Sequence, residues 1–290
     1  MSKRNSFWKN KKVFITGHTG FKGSWLSITL KMMGAHVTGY SLKPPTNPSL
    51  FKLANLEKYI DKSIISDICN FKNLKKSLQK CNPEIVFHLA AQSLVIESYK
   101  DPKKNYLVNS IGTLNVLENL RFLKKLKCGI IVTTDKVYKT SNNKKKFSEE
   151  DDLGVTDPYG SSKVCAEIIS ESYNKSFFSK SKSLKIATVR AGNVIGGGDF
   201  SENRILPDFF RGLKKGNKIV LRNPEHIRPW QYILEPISGY LQLAEKISKK
   251  KFKSNHESWN FAPKSKNCVS VKKLILLLNK FSSNRIKIYY

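Results

Sequence analysis

Near its N-terminus the chain reads Val13-Phe14-Ile15-Thr16-Gly17-His18-Thr19-Gly20-Phe21-Lys22-Gly23. The first four residues form an apolar run of the length that a buried strand uses, and helical spacing follows the glycines. Glycines at such a turn tolerate positive φ and let the backbone approach a phosphate group at a helix N-terminus. The stretch therefore predicts a strand–turn–helix unit with a dinucleotide site at the turn, although a plain glycine turn is the alternative.

The alternation of strand and helix continues through the first two thirds of the chain. Apolar runs typical of buried strands recur at residues 36–40, 64–65, 84–89, 129–133 and 186–189. Helical spacing is found at residues 25–33, 71–78, 109–123 and 159–178. This pattern is typical of an α/β fold with a doubly wound parallel sheet, the Rossmann architecture.

The pattern changes after Asn193, where short elements with Pro, Gly and Arg replace the alternation. We therefore expect an NAD-binding Rossmann domain at residues 1–192. Residues 193–290 are expected to form a smaller, interleaved substrate-binding lobe. The Lys, Asn and Ser residues at 139–146 predict an exposed loop.

The chain is strongly basic, with 52 Lys and Arg against 22 Asp and Glu and a formal net charge of +30. The excess is mostly Lys, and the lysine runs at 144–146 and 249–251 have no interleaved aromatic residues of the kind that stack on bases. We interpret the charge as solvated surface and expect no nucleic acid partner. An anionic nucleotide-sugar substrate would also be attracted by this charge.

Several features predict a protein of the cytoplasm. No apolar run reaches the roughly 18 residues that span a membrane, so we expect no membrane partner. Residues 1–12 are polar and basic and run directly into Val13 with no signal-like apolar segment. The five cysteines are scattered without a C-x-x-C motif or a nearby histidine, which predicts reduced thiols and no metal site.

Tyr159 and Lys163 are the strongest catalytic candidates, since residues four apart share one face of a helix. An ammonium beside a phenol favours the phenolate, so the pair predicts a general base with a lowered pKa. Tyr99 and Lys103 have the same spacing but span Asp101-Pro102, where proline disfavours a continuous helix.

The predicted cofactor site extends beyond the glycine turn. Tyr40-Ser41-Leu42-Lys43, after the second strand, lacks the carboxylate that often binds the ribose of NAD, so NAD and NADP both stay open here. Asp67 and Ile68 can hold the adenine edge, although Asp67 is also a candidate helix N-cap. The small residues of His88-Leu89-Ala90-Ala91 suit a backbone that lies against a cofactor, with tight strand–helix packing as the alternative. The predicted cofactor-binding residues are Gly17, His18, Thr19, Gly20, Phe21, Lys22, Gly23, Asp67, Ile68, Leu89, Ala90, Ala91, Asn109, Tyr159 and Lys163.

Candidates for substrate binding follow the later strands. Asn193 and Gly196-Gly197-Gly198 come after the sixth strand, at the edge where α/β proteins bind ligands. Arg228-Pro229-Trp230 places a forked cation beside a rigid turn, and guanidinium groups pair well with diphosphate oxygens. A surface ion pair is the alternative for Arg228. The predicted substrate-binding residues are Gln92, Asn193, Arg204 and Arg228.

Together these residues resemble the extended short-chain dehydrogenase/reductase family and, within it, the CDP-glucose 4,6-dehydratases. The segments that carry the resemblance span the whole chain: Lys22-Gly23-Ser24-Trp25-Leu26, Pro45-Thr46, Pro48-Ser49-Leu50-Phe51, Thr134-Asp135-Lys136, residues 157–163, residues 190–199, Arg228-Pro229-Trp230-Gln231 and Trp259-Asn260-Phe261. The chain departs from the family at Lys43, where an acidic residue is common, at Phe200, where Trp is usual, and at Tyr232, where His is usual. It ends at Tyr290, short of the family's usual length, so we expect an incomplete substrate lobe.

The resemblance implies a lyase that uses NAD to dehydrate CDP-glucose to CDP-4-keto-6-deoxyglucose, in deoxysugar and O-antigen-type polysaccharide biosynthesis. It implies that Tyr159, supported by Lys163, removes the C4 hydroxyl proton while NAD takes the C4 hydride. Thr134 would bind O4, Asp135 would protonate the departing C6 hydroxyl, and Lys136 would remove the C5 proton. We also expect a homo-oligomer, either a dimer or a tetramer.

Two other functions stay open. A nucleotide-sugar 4-epimerase or reductase of the same fold shares the Tyr159 and Lys163 pair but needs no acid–base pair for C5–C6 elimination, so Asp135 and Lys136 argue against it. A catalytically incomplete NAD-fold protein that acts as a binding subunit is the other alternative.

Overall fold

The computed structural model describes residues 5–139, 146–179, 184–214, 216, 218–250, 257–264, 267–282 and 285–290. Most of the loop predicted at 139–146, with two of its three consecutive lysines, lies outside these residues, as does Lys251. None of the described helices combines the length and the apolar composition that a membrane span requires.

Among the described residues, seven parallel strands form the central sheet, in the order β11-β6-β5-β4-β1-β2-β3. Their bounds are β1 Lys12–Thr16, β2 His36–Ser41, β3 Lys62–Ile65, β4 Ile85–His88, β5 Cys128–Val132, β6 Lys185–Ala191 and β11 Ser258–Phe261. The order reverses between β1 and β4, and such a reversal opens a crevice at the carboxyl ends of the strands. The six remaining strands form two-stranded pairs: β7 Val194–Ile195 with β10 Gln231–Tyr232, β8 Lys218–Val220 with β13 Lys287–Tyr289, and β9 Ile227–Arg228 with β12 Val269–Ser270.

Helices cover both faces of the sheet. Their bounds are α1 Asn5–Trp8, α2 Phe21–Met32, α3 Leu50–Leu53, α4 Leu56–Tyr59, α5 Phe71–Cys81, α6 Val95–Lys100, α7 Pro102–Tyr106, α8 Gly112–Leu120, α9 Pro158–Tyr173, α10 Ile205–Lys214, α11 Leu234–Ser248 and α12 Val271–Phe281. Side chains alternate along β1, so Val13 and Ile15 enter the core under α2 and α11, whereas Phe14 enters the core under α5 and α8. The predicted doubly wound parallel sheet is therefore confirmed.

Two elements beyond residue 192 return to the main sheet. Strand β11 pairs in parallel with β6, with Trp259 opposite Val189. Helix α11 buries Ile237 and Tyr240 in the same core as β1. Helices α10 and α12 form a smaller core around Phe209 with residues of β8 and β13. The division of the chain at residue 192 stays a prediction.

The structure differs locally from the predicted elements. Helix α2 begins at Phe21, four residues before the predicted start. The helix predicted at 109–123 consists of a π-helical turn, Leu107–Ile111, followed by α8. A second π-helical turn, Asn174–Phe178, ends the helix that α9 begins. Helix α6 ends before Asp101 and α7 begins after it, so Tyr99 and Lys103 lie on separate helices, as the proline predicts.

Candidate active site

Glycines shape the turn between β1 and α2. Gly17 has a φ of 79°, and a Cβ atom there would lie 2.7 Å from the amide nitrogen of Ala90. At Gly23 a Cβ atom would lie 2.0 Å from the carbonyl oxygen of Gly17, and Gly20 donates its N–H to that same oxygen at 3.1 Å. Because α2 begins directly after this turn, the unpaired N–H groups of its first turn lie beside it. The arrangement fits the pyrophosphate of a dinucleotide.

His18 and Thr19 direct their side chains toward β2 and β3. His18 Nε2 lies 2.8 Å from Ser63 Oγ, and burial lowers the pKa of the imidazole to about 4, which leaves it neutral at pH 7. Gly39, which the sequence did not suggest, makes room for this ring, because a Cβ atom there would lie 2.2 Å from His18 Cγ. Thr19 donates its hydroxyl proton to the carbonyl oxygen of Leu42 at 2.8 Å. Both side chains thus hold the turn against the sheet, and their contact with a cofactor stays a prediction.

Phe21 and Lys22 begin α2, and their side chains have different neighbours: apolar for Phe21 and charged for Lys22. Phe21 packs against the main core. Burial lowers the pKa of Lys22 to about 8; the positive charge of Arg204 acts in the same direction, and the carboxylates of Asp135 and Asp199 oppose it. The glycine-rich stretch therefore supplies a cation to the neighbourhood of the predicted acid–base residues.

The loop after β4 lies against the glycine turn. Leu89 donates its N–H to the carbonyl oxygen of Thr16 at 3.1 Å, and Ala90 donates its N–H to the hydroxyl of the same residue at 3.1 Å. Ala91 continues the loop and is half-buried. This backbone is the neighbour that excludes a side chain at Gly17, so the close approach that the small residues predicted is present.

Asn109 is buried and joins this loop to α9. Its Oδ1 accepts the N–H of Gln92 at 2.9 Å, and its Nδ2 donates to the carbonyl oxygen of Gln92 at 3.0 Å and to Ser162 Oγ at 2.9 Å. The side chain of Gln92 folds back on Leu94, whose carbonyl oxygen accepts its Nε2–H at 2.9 Å. The amide of Asn109 therefore serves the protein itself, and ligand contacts by Asn109 or Gln92 stay predictions.

Asp67 and Ile68 follow β3 at one edge of the sheet. Asp67 is exposed, and its Oδ1 accepts the N–H of Cys69 at 2.8 Å. The N-cap of α5 is Asn70, whose side chain accepts the N–H of Asn73, so the alternative of an N-cap role for Asp67 is wrong. Ile68 is buried in the core under α5 and α8. Their contact with the adenine edge stays a prediction.

The turn after β5 carries the predicted acid–base residues. Asp135 and Lys136 begin a 3₁₀ turn, Asp135–Val137, in which Thr134 Oγ1 accepts the N–H of Lys136 at 3.3 Å. Burial raises the pKa of the Asp135 carboxyl, against the positive charge of Lys136. Burial of the ammonium lowers the pKa of Lys136, and the positive charge of Arg228 acts in the same direction, although the residue as a whole is exposed. Both shifts disfavour the charged forms of these two side chains.

Tyr159 and Lys163 lie on the first two turns of α9 and are buried. The expected lowering of the Tyr159 pKa is wrong for the protein as it stands: burial raises this pKa to about 12, and the hydrogen bond with Thr134 opposes the shift only in part. Lys163 Nζ donates to the carbonyl oxygen of Val132 at 3.1 Å. Burial lowers the pKa of Lys163 to about 8, so the ammonium still predominates at pH 7.

Two predicted substrate-binding arginines come from the later part of the chain. Arg204 donates to Asp199 Oδ2 at 3.0 Å and to Ser93 Oγ at 3.0 Å, which ties the segment before α10 to the loop after β4. Arg228 lies on β9, where its Nη2 is 3.2 Å from His226 Nδ1. Its charge lowers the pKa of both Asp135 and Lys136, so it acts on the same turn.

Asn193 lies between β6 and β7, at the carboxyl edge of the sheet. Its carbonyl oxygen accepts the N–H of Gln231 at 2.9 Å, which continues the pairing of β7 with β10. The side chain is half-buried. Its predicted contact with a substrate stays a prediction.

Some residues of this site were not predicted from the sequence. Gly192 leaves room for the carboxylate of Asp135, because a Cβ atom there would lie 2.8 Å from its Oδ2 atom. Tyr240 on α11 is buried, and its hydroxyl has no hydrogen-bond partner among the described residues. Glu167 and Arg190 form a buried ion pair. A periodicity signal for Glu167 was available, because it lies four residues after Lys163.

Known proteins resemble this chain over most of its length. The family described as GDP-mannose 4,6 dehydratase matches residues 14–275. CDP-glucose 4,6-dehydratase of Salmonella typhimurium is 42% identical over 274 residues, which cover 93% of this chain and 76% of that protein. dTDP-D-glucose 4,6-dehydratase of Dictyostelium discoideum is 30% identical over 248 residues, which cover 79% of this chain and 54% of that protein.

Solved structures share the fold. UDP-glucuronic acid 4-epimerase from Bacillus cereus, in complex with UDP-glucuronic acid and NAD, superposes with a TM-score of 0.78. The sequence identity is 24%, and the match covers 96% of this chain and 85% of that chain. The likeness extends over the sheet, its helices and the elements after residue 192.

Proposed function

This chain belongs to the GDP-mannose 4,6 dehydratase family, and from that membership we propose that it dehydrates CDP-glucose to CDP-4-keto-6-deoxyglucose with NAD⁺. The choice of CDP-glucose follows the Salmonella relative. The observation that supports the proposal most directly is that the pair of Asp135 and Lys136 lies close to the pair of Tyr159 and Lys163. Lys136 Nζ lies 6.0 Å from the centre of the Tyr159 ring, and the charge of Asp135 acts on the pKa of both side chains. A 4-epimerase needs only the pair of Tyr159 and Lys163, whereas an elimination also needs Asp135 and Lys136.

The glycine turn is the part of the structure that fits NAD⁺. Gly17 and Gly23 have no room for a side chain, and the N-terminus of α2 lies beside them. NAD⁺, when bound, accepts a hydride from C4 of the sugar and returns it to C6. Lys43 stands where a carboxylate often binds the ribose, so this chain holds the cofactor without that contact.

In the proposed oxidation Tyr159 takes the proton of the C4 hydroxyl. With a pKa of about 12, its phenol keeps its own proton at neutral pH, so it acts as a base only where positive charge stabilises the phenolate. Arg204 lowers the Tyr159 pKa, and the ammonium of Lys163, one turn further along the same helix, would supply positive charge for the phenolate. Thr134, which hydrogen-bonds the phenol, would also bind O4 of the sugar.

In the proposed elimination Lys136 takes the C5 proton and Asp135 protonates the departing C6 hydroxyl. The 4-keto group makes the C5 proton acidic, but a base that is partly neutral near pH 7 is still required. The lowered pKa of Lys136 and the raised pKa of Asp135 suit these two roles. Their adjacency on one short turn lets them act on neighbouring carbon atoms.

Positive charge around the turn suits the diphosphate of the substrate. Arg204 and Arg228 carry guanidinium groups that can form paired hydrogen bonds with phosphate oxygens. Asn193 and Gln92 lie at the same carboxyl edge of the sheet and would orient the sugar. The proposed site is therefore formed by both parts of the chain.

We propose further that the protein works as a homo-oligomer in the cytoplasm. Helices α7 and α9, together with the π-helical turn after α7, pack against one another and leave apolar side chains exposed: Tyr106, Leu107, Ile111 and Ile168. Burial of such side chains against a second copy would remove them from water. Light scattering of the purified protein tests this, and a monomer at micromolar concentration would contradict it.

The proposed reaction is tested by incubation with NAD⁺ and CDP-glucose, with dTDP-, UDP- and GDP-sugars in parallel. We expect a product lighter than CDP-glucose by one water, without net formation of NADH. An isomeric product would instead indicate an epimerase, and stoichiometric NADH would indicate a dehydrogenase. Binding without any product would favour a catalytically incomplete protein.

A further inference from the structure

A buried ion pair joins α9 to β6. The side chains of Glu167 and Arg190 are each 3% exposed. Arg190 Nε donates to Glu167 Oε1 at 2.9 Å, and Arg190 Nη2 donates to Oε2 at 3.0 Å. A forked guanidinium that meets both carboxylate oxygens fixes orientation as well as distance.

This ion pair holds both ends of residues 134–137, which we call the catalytic turn because they carry the proposed acid and base. Thr133, the residue before the turn, donates its hydroxyl proton to Glu167 Oε1 at 2.5 Å. Tyr138, the residue after it, has its hydroxyl oxygen bound by Arg190 Nη1 at 2.8 Å. Both residues that flank 134–137 are therefore hydrogen-bonded to the same ion pair.

The same pair is built into the helix that carries the other acid–base residues. Tyr159, Lys163 and Glu167 follow one another at intervals of four residues and share one face of α9. The negative charge of Glu167 raises the pKa of Lys163, against burial and the charge of Lys22. Glu167 thus acts on the turn by hydrogen bonds and on Lys163 by charge.

The network also reaches β11, which follows residue 192. Arg190 Nη2 donates to Ser258 Oγ at 3.1 Å, and the hydroxyl of Tyr138 donates to Asn260 Oδ1 at 2.6 Å. The N–H of Asn260 donates to Glu149 Oε1 at 2.7 Å. The catalytic turn is held by α9, β6 and β11 together.

The stability of the fold alone does not explain a buried ion pair such as this one. Burial of two charges costs much of what their attraction returns, and apolar replacement of both partners is often neutral for stability. Loss of one partner is costly, since it leaves the other charge buried and unpaired. A role in geometry accounts for the hydrogen bonds at both ends of the turn.

We propose that Glu167 and Arg190 are positioning residues that set Thr134, Asp135 and Lys136 against Tyr159 and Lys163. The proposal rests on the proposed dehydration, in which the turn and the helix act on adjacent carbon atoms of one sugar. Neither residue touches the substrate; each acts through the groups that it holds.

The test uses the full chain with Glu167→Gln and, because that variant leaves Arg190 unpaired and can fail to fold, the double variant Glu167→Met/Arg190→Met. Glu118→Gln is the matched control. Glu118 also accepts two hydrogen bonds from an arginine, Arg121, and one from a tyrosine, but it lies at the surface away from the turn.

In the double variant we expect an unfolding midpoint close to that of the wild type and a kcat lower by about 10²-fold, with a smaller change in KM, because misplaced reacting groups cost rate. Amide hydrogen exchange at residues 134–138 should become faster. In Glu167→Gln the alkaline limb of kcat should move to lower pH, because the charge that raises the pKa of Lys163 is gone. The control should show none of these changes.

A folded double variant with wild-type kcat would overturn the proposal, as would unchanged exchange at residues 134–138 in a variant that has lost activity. Absence of product in the wild type would refute the proposed dehydration instead. Hydrogen exchange would still report on the turn in that case, so the two failures are separable.

Discussion

Tyr159 and Tyr99 each have a lysine four residues later, yet only Tyr159 shares a helix with its lysine. We expect Tyr159→Phe to lower kcat by ~10²–10⁴, the usual contribution of a positioned acid–base group. The fold should survive, because the ring that packs in the core is kept and only the hydroxyl is lost. Steady-state turnover and the unfolding midpoint measure the two effects.

Tyr99→Phe is the control for this substitution, since Tyr99 is 64% exposed on α6. It should leave turnover unchanged. Near-normal turnover of Tyr159→Phe would show that another group is the base, and it would weaken the whole site assignment.

In the proposed reaction Lys136 takes part in the elimination but not in the oxidation. In Lys136→Met we expect oxidation at C4 to proceed, because it needs Tyr159 and Lys163, while removal of the C5 proton stops. Bound NADH should then accumulate in a single turnover, and solvent deuterium should no longer enter C5. Absorbance of bound NADH and NMR of the sugar measure these two outcomes.

Lys139→Met is a suitable control because Lys139 is exposed and follows the same turn. It should retain both half-reactions. Survival of C5 exchange in Lys136→Met would show that Lys136 is not the base. Equal slowing of both half-reactions would indicate a structural cation that pairs with Asp135.

At the scale of elements, β4 ends in a histidine that is locked in its neutral form. Thr113 donates its hydroxyl proton to the carbonyl oxygen of Asn109 at 2.7 Å, so its oxygen is left to accept a proton from His88 Nε2 at 3.0 Å. His88 Nδ1 then accepts the hydroxyl proton of Thr16 at 2.7 Å. These hydrogen bonds join β1, β4, α8 and the π-helical turn before α8, and a second proton on the ring would break them.

A pH dependence of stability follows from this arrangement. Burial lowers the pKa of His88 to about 3, from an ordinary value of 6.5, so between these two pH values only the unfolded chain takes up the proton. This contribution to stability is complete above pH 6.5 and is lost as the pH falls toward 3. At pH 5 the loss should be about 2 kcal/mol for this group.

Urea unfolding at pH 7 and pH 5 measures the loss, and His88→Gln should reduce it. His18, whose pKa burial lowers to about 4, adds to the same slope and remains in the variant. An equal drop in stability for the wild type and His88→Gln would exclude His88 as a source.

At the scale of the whole molecule, the sheet depends on elements from both parts of the chain. Strand β11 covers the edge of β6, and α11 covers one face of the sheet with Ile237 and Tyr240. A chain that ends at residue 192 would leave this face exposed. We expect such a fragment to lose cooperative unfolding and near-ultraviolet circular dichroism. A sharp thermal transition near that of the full chain would show that residues 1–192 form an independent domain.

Local patterns in the sequence were sufficient for six of the seven strands of the central sheet. The apolar runs that predicted six strands lie within one or two residues of β1 to β6, apart from the shorter forecast for β3, because buried strands need continuous apolar residues. The glycine turn was equally readable, since only glycine fits at Gly17 and Gly23. The break at Asp101 followed from the covalent chemistry of proline.

Long-range packing decided the rest. Residues 157–163 predicted a helix with a tyrosine and a lysine on one face, but not that Lys163 bonds to Val132 or that burial raises the pKa of Tyr159. The return of β11 to β6 joins residues about seventy positions apart, and the hydrogen bonds that hold residues 133–138 come from α9, β6 and β11. Burial and electric fields depend on every neighbour in space, whereas periodicity and turn chemistry depend only on neighbours in the chain.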